Sequence, residues 1–217
     1  MSARGWQHHE GLAVGLPMDG IDTDQIIPAR FMATPRDQGY GRFLLHDLRC
    51  DAQGAARPDF ALNRAGSAGA SVLVAGRNFG CGSSREAAVY ALVDYGIRVV
   101  VAPSFGDIFA ANAVNNGLCP AQVCETTSAS MLDALAEAPR RVSVDLESCE
   151  IIGPACRIPF ALDPVWRHKL MEGWDDIDLT RAYSADIAAF RDRDAQARPW
   201  ARLRPPGIVQ RTRTDRV

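Results

Sequence analysis

The sequence predicts an α/β protein, and three observations support this prediction. Residues 71–75 form a short apolar run typical of a buried strand, and a loop with three glycines in seven residues, 76–82, follows it. Residues 84–95 then have the pattern of a helix that ends at Gly96, and residues 97–102 predict a second strand. Because strands and helices alternate here, we expect parallel strands joined by right-handed crossovers.

Further elements follow along the chain, separated by glycine and proline breaks. They are a helix over 106–114, a helix over 127–137, a strand over 141–146, an interrupted strand over 151–160, and short helices over 166–171 and 183–191. Residues 32–70 are rich in Gly, Ala, Arg and Asp and contain few periodic apolar residues. We expect this long segment to be irregular and to order only with a partner or ligand.

Length and composition predict one globular domain followed by a tail. The chain has 217 residues, of which 47% are hydrophobic and 23% are charged. We place a single domain over residues 1–197. Residues 198–217 carry six arginines against one aspartate and include three prolines, which predicts a basic, disordered tail.

Charge and hydropathy exclude several classes of function. The formal net charge of -2 gives no general attraction for nucleic acid, and the basic tail lacks the fold or interleaved aromatic residues of a nucleic-acid binder. No apolar run is long enough to span a membrane, and the N-terminus lacks the apolar centre of a signal peptide. The sequence therefore predicts a cytoplasmic protein without a membrane or nucleic-acid partner.

The six cysteines do not predict a metal site. They form no Cys-x-x-Cys pair, no zinc-like cluster and none of the usual iron–sulfur spacings. We expect them to be free thiols or small buried residues, with no metal or cofactor bound by this chain. Cys81 lies in the glycine loop, but no histidine lies near it in sequence to activate it as a nucleophile.

The glycine loop and the start of the following helix predict an anion-binding site. Backbone N–H groups and the positive end of a helix dipole point at whatever occupies such a position. Arg85 adds a planar guanidinium group, which can form two parallel hydrogen bonds with a carboxylate or phosphate. Ser83 and Glu86 have the spacing of a capping box, so Ser83 is either a helix N-cap or a functional hydroxyl.

An acidic turn over residues 22–24 precedes the apolar residues Ile26 and Ile27. Asp and Asn side chains commonly form such turns with their own backbone, so turn formation alone accounts for the acidic residues. A position near a binding site is the alternative.

Five motifs in matching order carry a resemblance to a known family. Residues 78–86 read Asn-Phe-Gly-Cys-Gly-Ser-Ser-Arg-Glu, and residues 94–96, 102–105, 22–28 and 115–118 extend the pattern over about residues 8 to 195. The chain resembles the small subunits of 3-isopropylmalate dehydratases, within the aconitase superfamily. The resemblance implies a β/β/α swivelling domain, an α/β fold.

The same resemblance implies a shared active site. A separate large subunit would hold a [4Fe–4S] cluster, and the substrate would be a small dicarboxylate. In that reaction 2-isopropylmalate loses water and regains it with the hydroxyl on the neighbouring carbon. By position, Ser83 is the candidate base and Arg85 the carboxylate ligand. The candidate substrate-binding residues are Gly82, Ser84, Asp22, Thr23 and Asp24.

One departure from the family pattern bears on the substrate. The family usually has a histidine after Ser-Ser-Arg-Glu, whereas this chain has Ala87. A related hydro-lyase acting on another 2-hydroxy diacid, of the citramalate or methylated malate type, is therefore an alternative. A non-catalytic anion-binding domain of the same fold is a second one. Residues 29–40, which follow the acidic turn, correspond to the segment that touches the substrate's variable group in the family.

Overall fold

The computed structural model describes residues 5–153 and 156–201. These residues belong to two compact units, one that ends at Asp176 and one that begins at Ile177. Of the predicted tail, 198–201 are described and include a 3-10 turn at Pro199–Ala201, and the remainder lies outside the described residues. None of the helices in the described parts of the chain is long and apolar enough to cross a membrane.

A mixed sheet of seven strands forms the centre of the first unit. Its strands are β1 (His8–Leu16), β2 (Ala70–Ala75), β3 (Val99–Ala102), β4 (Cys119–Gln122), β5 (Arg140–Asp145), β6 (Glu150–Ile152) and β7 (Arg157–Pro159). Across the sheet the strand order is β4-β3-β2-β1-β5-β6-β7. Strands β1 to β4 are parallel, whereas β5 to β7 are antiparallel. Strand β1 is therefore the junction of the two halves.

The described residues include eight α-helices. They are α1 (Thr23–Ile26), α2 (His46–Arg49), α3 (Glu86–Tyr95), α4 (Asp107–Asn115), α5 (Glu125–Ala134), α6 (Pro164–Glu172), α7 (Asp176–Ala182) and α8 (Ser184–Ala197). Helices α3 and α4 make the crossovers between parallel strands, which confirms the predicted alternation. Gly96 ends α3 in the left-handed conformation with φ of 112°, as predicted.

The sheet buries apolar side chains on both faces because alternate residues of a strand point in opposite directions. Leu73 and Ala75 of β2 lie in one core cluster with residues of α1, α3 and α4. Val72 and Val74 lie in the other cluster with residues of α5 and α6. The residues that point to either face of β2 are apolar, as expected for a parallel strand that is covered on both sides.

Two strands of the parallel half were not recognisable from their sequences. Strand β1 contains Gly11 and Gly15, which weaken the strand signal. Strand β4 contains Pro120, and it lies at the edge of the sheet, where a missing backbone donor is tolerated. The predicted interrupted strand over 151–160 is in fact the antiparallel pair β6 and β7.

Residues 32–70 differ from the prediction of an irregular segment that orders only with a partner. The region contains helix α2 and short 3-10 helices, namely Ala29–Ala33, Arg36–Gln38, Gly41–Phe43 and Ala61–Asn63. The side chains of Leu44 and Leu45 are fully buried, and Tyr40 and Leu62 also join the core. The prediction was wrong because 3-10 turns have neither of the periods that reveal helices and strands.

The described part of the second unit contains α7 after its first residue, α8 and the 3-10 turn. Helix α8 has no buried residue. Ile187, Phe190 and Trp200 are large apolar side chains that are exposed in the structure.

Candidate active site

The glycine loop leaves the carboxyl end of β2 and leads to α3. Its backbone takes positive φ angles at Asn78 (58°), Gly80 (72°) and Gly82 (92°). A Cβ atom at Gly80 would lie 2.2 Å from Cγ of Phe109, so a side chain cannot be accommodated there. The loop is thus held against α4.

The acidic turn runs beside the loop and is tied to it by backbone hydrogen bonds. The Gly80 amide donates to the Ile21 carbonyl at 2.7 Å, and the Thr23 amide donates to the Cys81 carbonyl at 2.9 Å. The buried Thr23 hydroxyl donates to the carbonyl of Ser83 at 2.8 Å. The fold therefore joins the two segments that the sequence separates by about sixty residues.

A third segment, after β3, holds the loop from its other side. The Phe79 amide donates to the Ser104 carbonyl at 3.0 Å, and the Gly106 amide donates to the Phe79 carbonyl at 2.9 Å. The Ser104 hydroxyl accepts a hydrogen bond from the Asn78 amide at 2.8 Å. Sequence reasoning did not assign Ser104 a role, although it lies in one of the family motifs.

Arg85 and Asp24 form an ion pair at the centre of the joined segments. The guanidinium donates through Nη1 to Oδ1 of Asp24. The Arg85 side chain is 22% exposed and that of Asp24 is 54% exposed, so the pair is open to solvent on one side. A guanidinium has five N–H donors, and Asp24 occupies one of them.

The predicted capping box at Ser83 and Glu86 was wrong. Helix α3 begins at Glu86, its N-cap is Arg85, and no side chain caps it. Glu86 instead accepts a hydrogen bond from the side chain of Asn116 at 3.0 Å. The spacing matched the motif, but the loop is fixed by the acidic turn, and Ser83 lies outside the cap position.

The capping box of this site is at Asp22. The Asp22 carboxylate accepts from the Gln25 amide at 2.7 Å, and the Gln25 side chain accepts from the Asp22 amide at 3.0 Å. Turn formation therefore accounts for Asp22, in agreement with the turn interpretation of the acidic residues.

Ser83 and Ser84 are both exposed. Within the described residues neither hydroxyl makes a hydrogen bond, and none of the four backbone amides from Gly82 to Arg85 donates one. Free backbone amides in a loop that leads into a helix, with an arginine in the same segment, are complementary to a carboxylate or an oxyanion. The arrangement can bind an anion and stabilise negative charge on a serine oxygen.

Cysteine and metal chemistry have little support in the described residues. The Cys81 thiol donates to the Gly20 carbonyl at 3.5 Å, and no histidine contacts it there. No group of three His, Cys, Asp or Glu side chains in the described ranges could hold a metal ion. Ala87 points into the core and is 9% exposed, so its methyl group makes no polar contact with the loop.

Comparison with known proteins identifies the family of this site. The small subunit of 3-isopropylmalate dehydratase from Shewanella baltica is 44% identical over 198 residues, which cover 89% of this chain and 97% of that protein. The chain belongs to the family of 3-isopropylmalate dehydratase small subunits. The corresponding subunit from Rhodospirillum centenum is 46% identical, and the match covers 88% of this chain and 95% of that protein. The subunit from Shouchella clausii is 43% identical, and the match covers 87% of this chain and 96% of that protein.

A family model and a solved structure agree with this membership. Residues 3–126 match the model of the aconitase C-terminal domain. The crystal structure of a 3-isopropylmalate dehydratase from Methanocaldococcus jannaschii has a TM-score of 0.59 and 27% identity, with 86% of this chain and 99% of that chain covered. The fold predicted from the family motifs, an α/β domain of the aconitase swivel type, is confirmed.

Proposed function

We infer that this chain is the small subunit of a 3-isopropylmalate dehydratase, a hydro-lyase of leucine biosynthesis. Relatives at 43–46% identity over most of the chain have this name. The name also implies a large subunit as partner, since this chain is the small one. The enzyme converts 2-isopropylmalate to 3-isopropylmalate by removing and returning water.

The observation that supports the residue assignments is the presence of three anion-stabilising groups within one short, exposed segment. These groups are the Arg85 guanidinium, the N-terminus of α3 and the free amides from Gly82 to Arg85. A dicarboxylate substrate presents the matching charge. The loop faces solvent, so a second subunit can approach it and close the site.

We propose that Arg85 binds a carboxylate of the substrate. Asp24 holds one Nη atom and thereby orients the guanidinium plane, which leaves further donors for two parallel hydrogen bonds to the substrate. Thr23 supports the same arrangement, because its hydroxyl fixes the Ser83 carbonyl and so the direction of the loop. Gly82 and Ser84 complete the proposed contacts with backbone and hydroxyl donors.

We assign Ser83 as the base. A serine hydroxyl is a very weak acid, so an alkoxide requires nearby positive charge and hydrogen-bond donors, and the loop supplies both. Ser83 removes the proton from the carbon next to the hydroxyl-bearing carbon, the electron pair forms the double bond, and the hydroxyl leaves. Addition of water in the opposite orientation returns the proton from Ser83 to the other carbon.

The cofactor of the reaction is proposed to lie on the partner. The described residues of this chain hold no set of side chains suited to an iron–sulfur cluster, and family membership fits a cluster on the large subunit. When bound there, a [4Fe–4S] cluster supplies a Lewis-acidic iron that assists departure of the hydroxyl. This chain supplies the carboxylate ligand and the base.

Reconstitution with a large subunit tests these assignments. Dehydration of 2-isopropylmalate, followed by the ultraviolet absorbance of the conjugated product, should require both chains. Ser83→Ala should lower turnover by several orders of magnitude, and Arg85→Lys should lower kcat/KM by about ten- to a hundredfold, because a point charge cannot replace a bidentate contact. Thermal unfolding should be unaffected in Ser83→Ala, since its hydroxyl bonds to no described residue.

Ser130→Ala is the matched control, because Ser130 is an exposed serine on α5. It should leave turnover unchanged. Citramalate, which has a methyl group in place of isopropyl, tests the alternative substrate. That alternative arose because this chain has Ala87 where the family usually has a histidine. Higher kcat/KM for citramalate than for 2-isopropylmalate would reassign the substrate, and normal turnover in Ser83→Ala would remove the serine from the mechanism.

A further inference from the structure

A cleft that is open to solvent lies at the carboxyl end of β1. Strand β5 pairs with β1 only as far as Ala13, so Gly15 and Leu16 have no neighbour on that side among the described strands. The cleft opens beside these two residues. Its volume is about 500 Å³, within the range of small-molecule sites, roughly 300–1,000 Å³.

Apolar side chains from three parts of the first unit line the cleft. Leu16 at the end of β1 is buried, and Leu48 of α2 and Phe60 pack against the same core cluster. Leu132 of α5 packs against the other cluster. The cleft therefore offers a fixed apolar surface that can hold a small alkyl group.

Four charged side chains line the same cleft. They are the cations Arg57 and Arg64 and the anions Asp59 and Asp133. Within the part of the chain that the structure describes, none of the four takes part in an ion pair. Charges of both signs that do not pair with one another remain available to a ligand that carries both signs.

The Arg64 guanidinium is held in place by backbone carbonyls. Its Nε donates to the Asp59 carbonyl at 3.0 Å, and its Nη1 donates to the Ala136 carbonyl at 2.9 Å. Its Nη2 donates to no described residue, and the same holds for the whole guanidinium of Arg57. Two guanidinium groups with unused donors on one cleft suit a carboxylate, and the fixed orientation of Arg64 lowers the entropic cost of binding it.

The position of Asp133 on α5 also favours a ligand. Asp133 lies in the last turn of the helix, and that turn contains no basic residue. A negative charge near a helix C-terminus is unfavourable, because that end of the helix dipole is itself negative. Helix stability therefore does not account for this carboxylate, whereas a bound cation beside it would be stabilised.

We propose that the cleft binds a zwitterionic α-amino acid with a branched apolar side chain. Arg57 and Arg64 bind its carboxylate, Asp59 and Asp133 bind its ammonium group, and the apolar lining holds its side chain. Leucine has this chemistry and is the product of the pathway in which the proposed function lies. The inference does not rest on that function, because no residue of the glycine loop or the acidic turn lines the cleft.

Amide NMR of the full chain, titrated with leucine up to about 10 mM, tests the site directly, since this concentration fills even a weak small-molecule site. The largest shifts should be saturable and should occur in residues 15–18, 57–64 and 132–136. Shifts that do not saturate, or that are centred on other residues, would overturn the proposal.

Analogues that each lack one group of leucine test the recognition of that group. 4-Methylpentanoate lacks the ammonium group and 3-methylbutylamine lacks the carboxylate, so each should bind about three- to fivefold more weakly, the scale of an exposed ion pair. Alanine lacks the branched alkyl group and should bind about tenfold more weakly. An analogue that binds as tightly as leucine would contradict the assigned zwitterion site.

Two substitutions assign the charges. Arg57→Gln should weaken leucine binding about three- to fivefold and leave 3-methylbutylamine unaffected, because that analogue has no carboxylate to lose. Asp133→Asn should weaken leucine binding similarly and leave 4-methylpentanoate unaffected. Neither change should lower the Tm, since the two side chains bond to no described residue.

Arg141→Gln is the matched control, since Arg141 is exposed on β5 and does not line the cleft. It removes the same charge as Arg57→Gln and should leave leucine binding unchanged. Unchanged binding in both cleft variants, or an equal loss in the control, would overturn the proposal.

Discussion

The Cys124 thiol is the N-cap residue of α5 and differs chemically from the buried Cys119. Hydrogen bonds with the Thr126 and Thr127 hydroxyls, at 3.2 and 3.0 Å, lower the pKa of Cys124 to about 7. Burial raises the pKa of Cys119 well above its ordinary range. The thiolate is the reactive form, so the two thiols should react very differently.

Alkylation with iodoacetamide checks this difference. The rate at Cys124 should rise as the pH passes through about 7, whereas Cys119 should not react in the folded protein. Thr127→Val should shift the midpoint at Cys124 to higher pH, because it removes one stabilising hydroxyl. An unchanged midpoint in that variant would show that the hydroxyls do not set the pKa.

The two asparagines of the 115–118 motif have separate structural roles. Asn116 donates to Glu86 at the start of α3, and Asn115 contacts Lys169 and Asp176. Lys169 is 2% exposed and would be costly to bury without these partners. The motif therefore joins the beginning of α3 to the end of the first unit, which the sequence pattern alone did not indicate.

At the scale of elements, helix α1 is short and depends on its cap. Asp22→Ala should lower the free energy of unfolding by about 1 kcal/mol, the usual cost of losing an N-cap. Asp22→Asn should retain most of that stability, because asparagine caps equally well. Urea denaturation measures both.

Turnover of the same variants separates capping from substrate binding. If Asp22 acts only by shaping the turn, Asp22→Asn should retain turnover in the reconstituted enzyme. A stable Asp22→Asn variant with turnover as low as that of Arg85→Lys would assign the carboxylate to the substrate site.

The elements with strong periodicity were predictable, and those whose position depends on distant contacts were not. Strand β2 and helices α3 and α4 could be predicted from the spacing of apolar residues and from the glycines that end each run. Strand β4 was missed because Pro120 is tolerated only at a sheet edge, a property of the assembled sheet.

The candidate site shows the same division. The family motifs predicted that the acidic turn lies near Ser83 and Arg85, and the contacts Thr23–Ser83 and Asp24–Arg85 join these segments in the structure. The functional roles of these residues stay predictions. The predicted capping box at Ser83 and Glu86 was wrong, because hydrogen bonds with the acidic turn hold the loop and Ser83 does not cap the helix. The Arg36–Asp94 ion pair could not be predicted, since the two residues are 58 positions apart in the sequence.

At the scale of the whole molecule, two ionisable groups make stability depend on pH in the same direction. Burial, with a smaller effect of Arg98, lowers the pKa of His9. Hydrogen bonds from Lys169 and then Asn115 lower the pKa of Asp176. In both cases the unfolded chain binds protons that the folded chain does not, so stability falls as the pH falls.

Thermal unfolding between pH 8 and 4 checks this expectation. The Tm should decrease on acidification, first as the pH falls below about 6.5, where the unfolded histidine protonates. His9→Gln should flatten that part of the profile. Asp176→Asn should flatten the part below about pH 4, where an unfolded aspartate protonates. A Tm that rises on acidification would contradict the lowered pKa values of His9 and Asp176 in the folded chain.

The position of β1 at the junction of the sheet has a consequence for synthesis on the ribosome. His8–Leu16 is made first, but one of its neighbours is Ala70–Ala75 and the other is Arg140–Asp145. At elongation rates of about 5–20 residues per second, the second neighbour is made roughly ten seconds after β1. Nascent chains arrested before residue 140 should therefore expose one edge of β1 to chaperones and proteases.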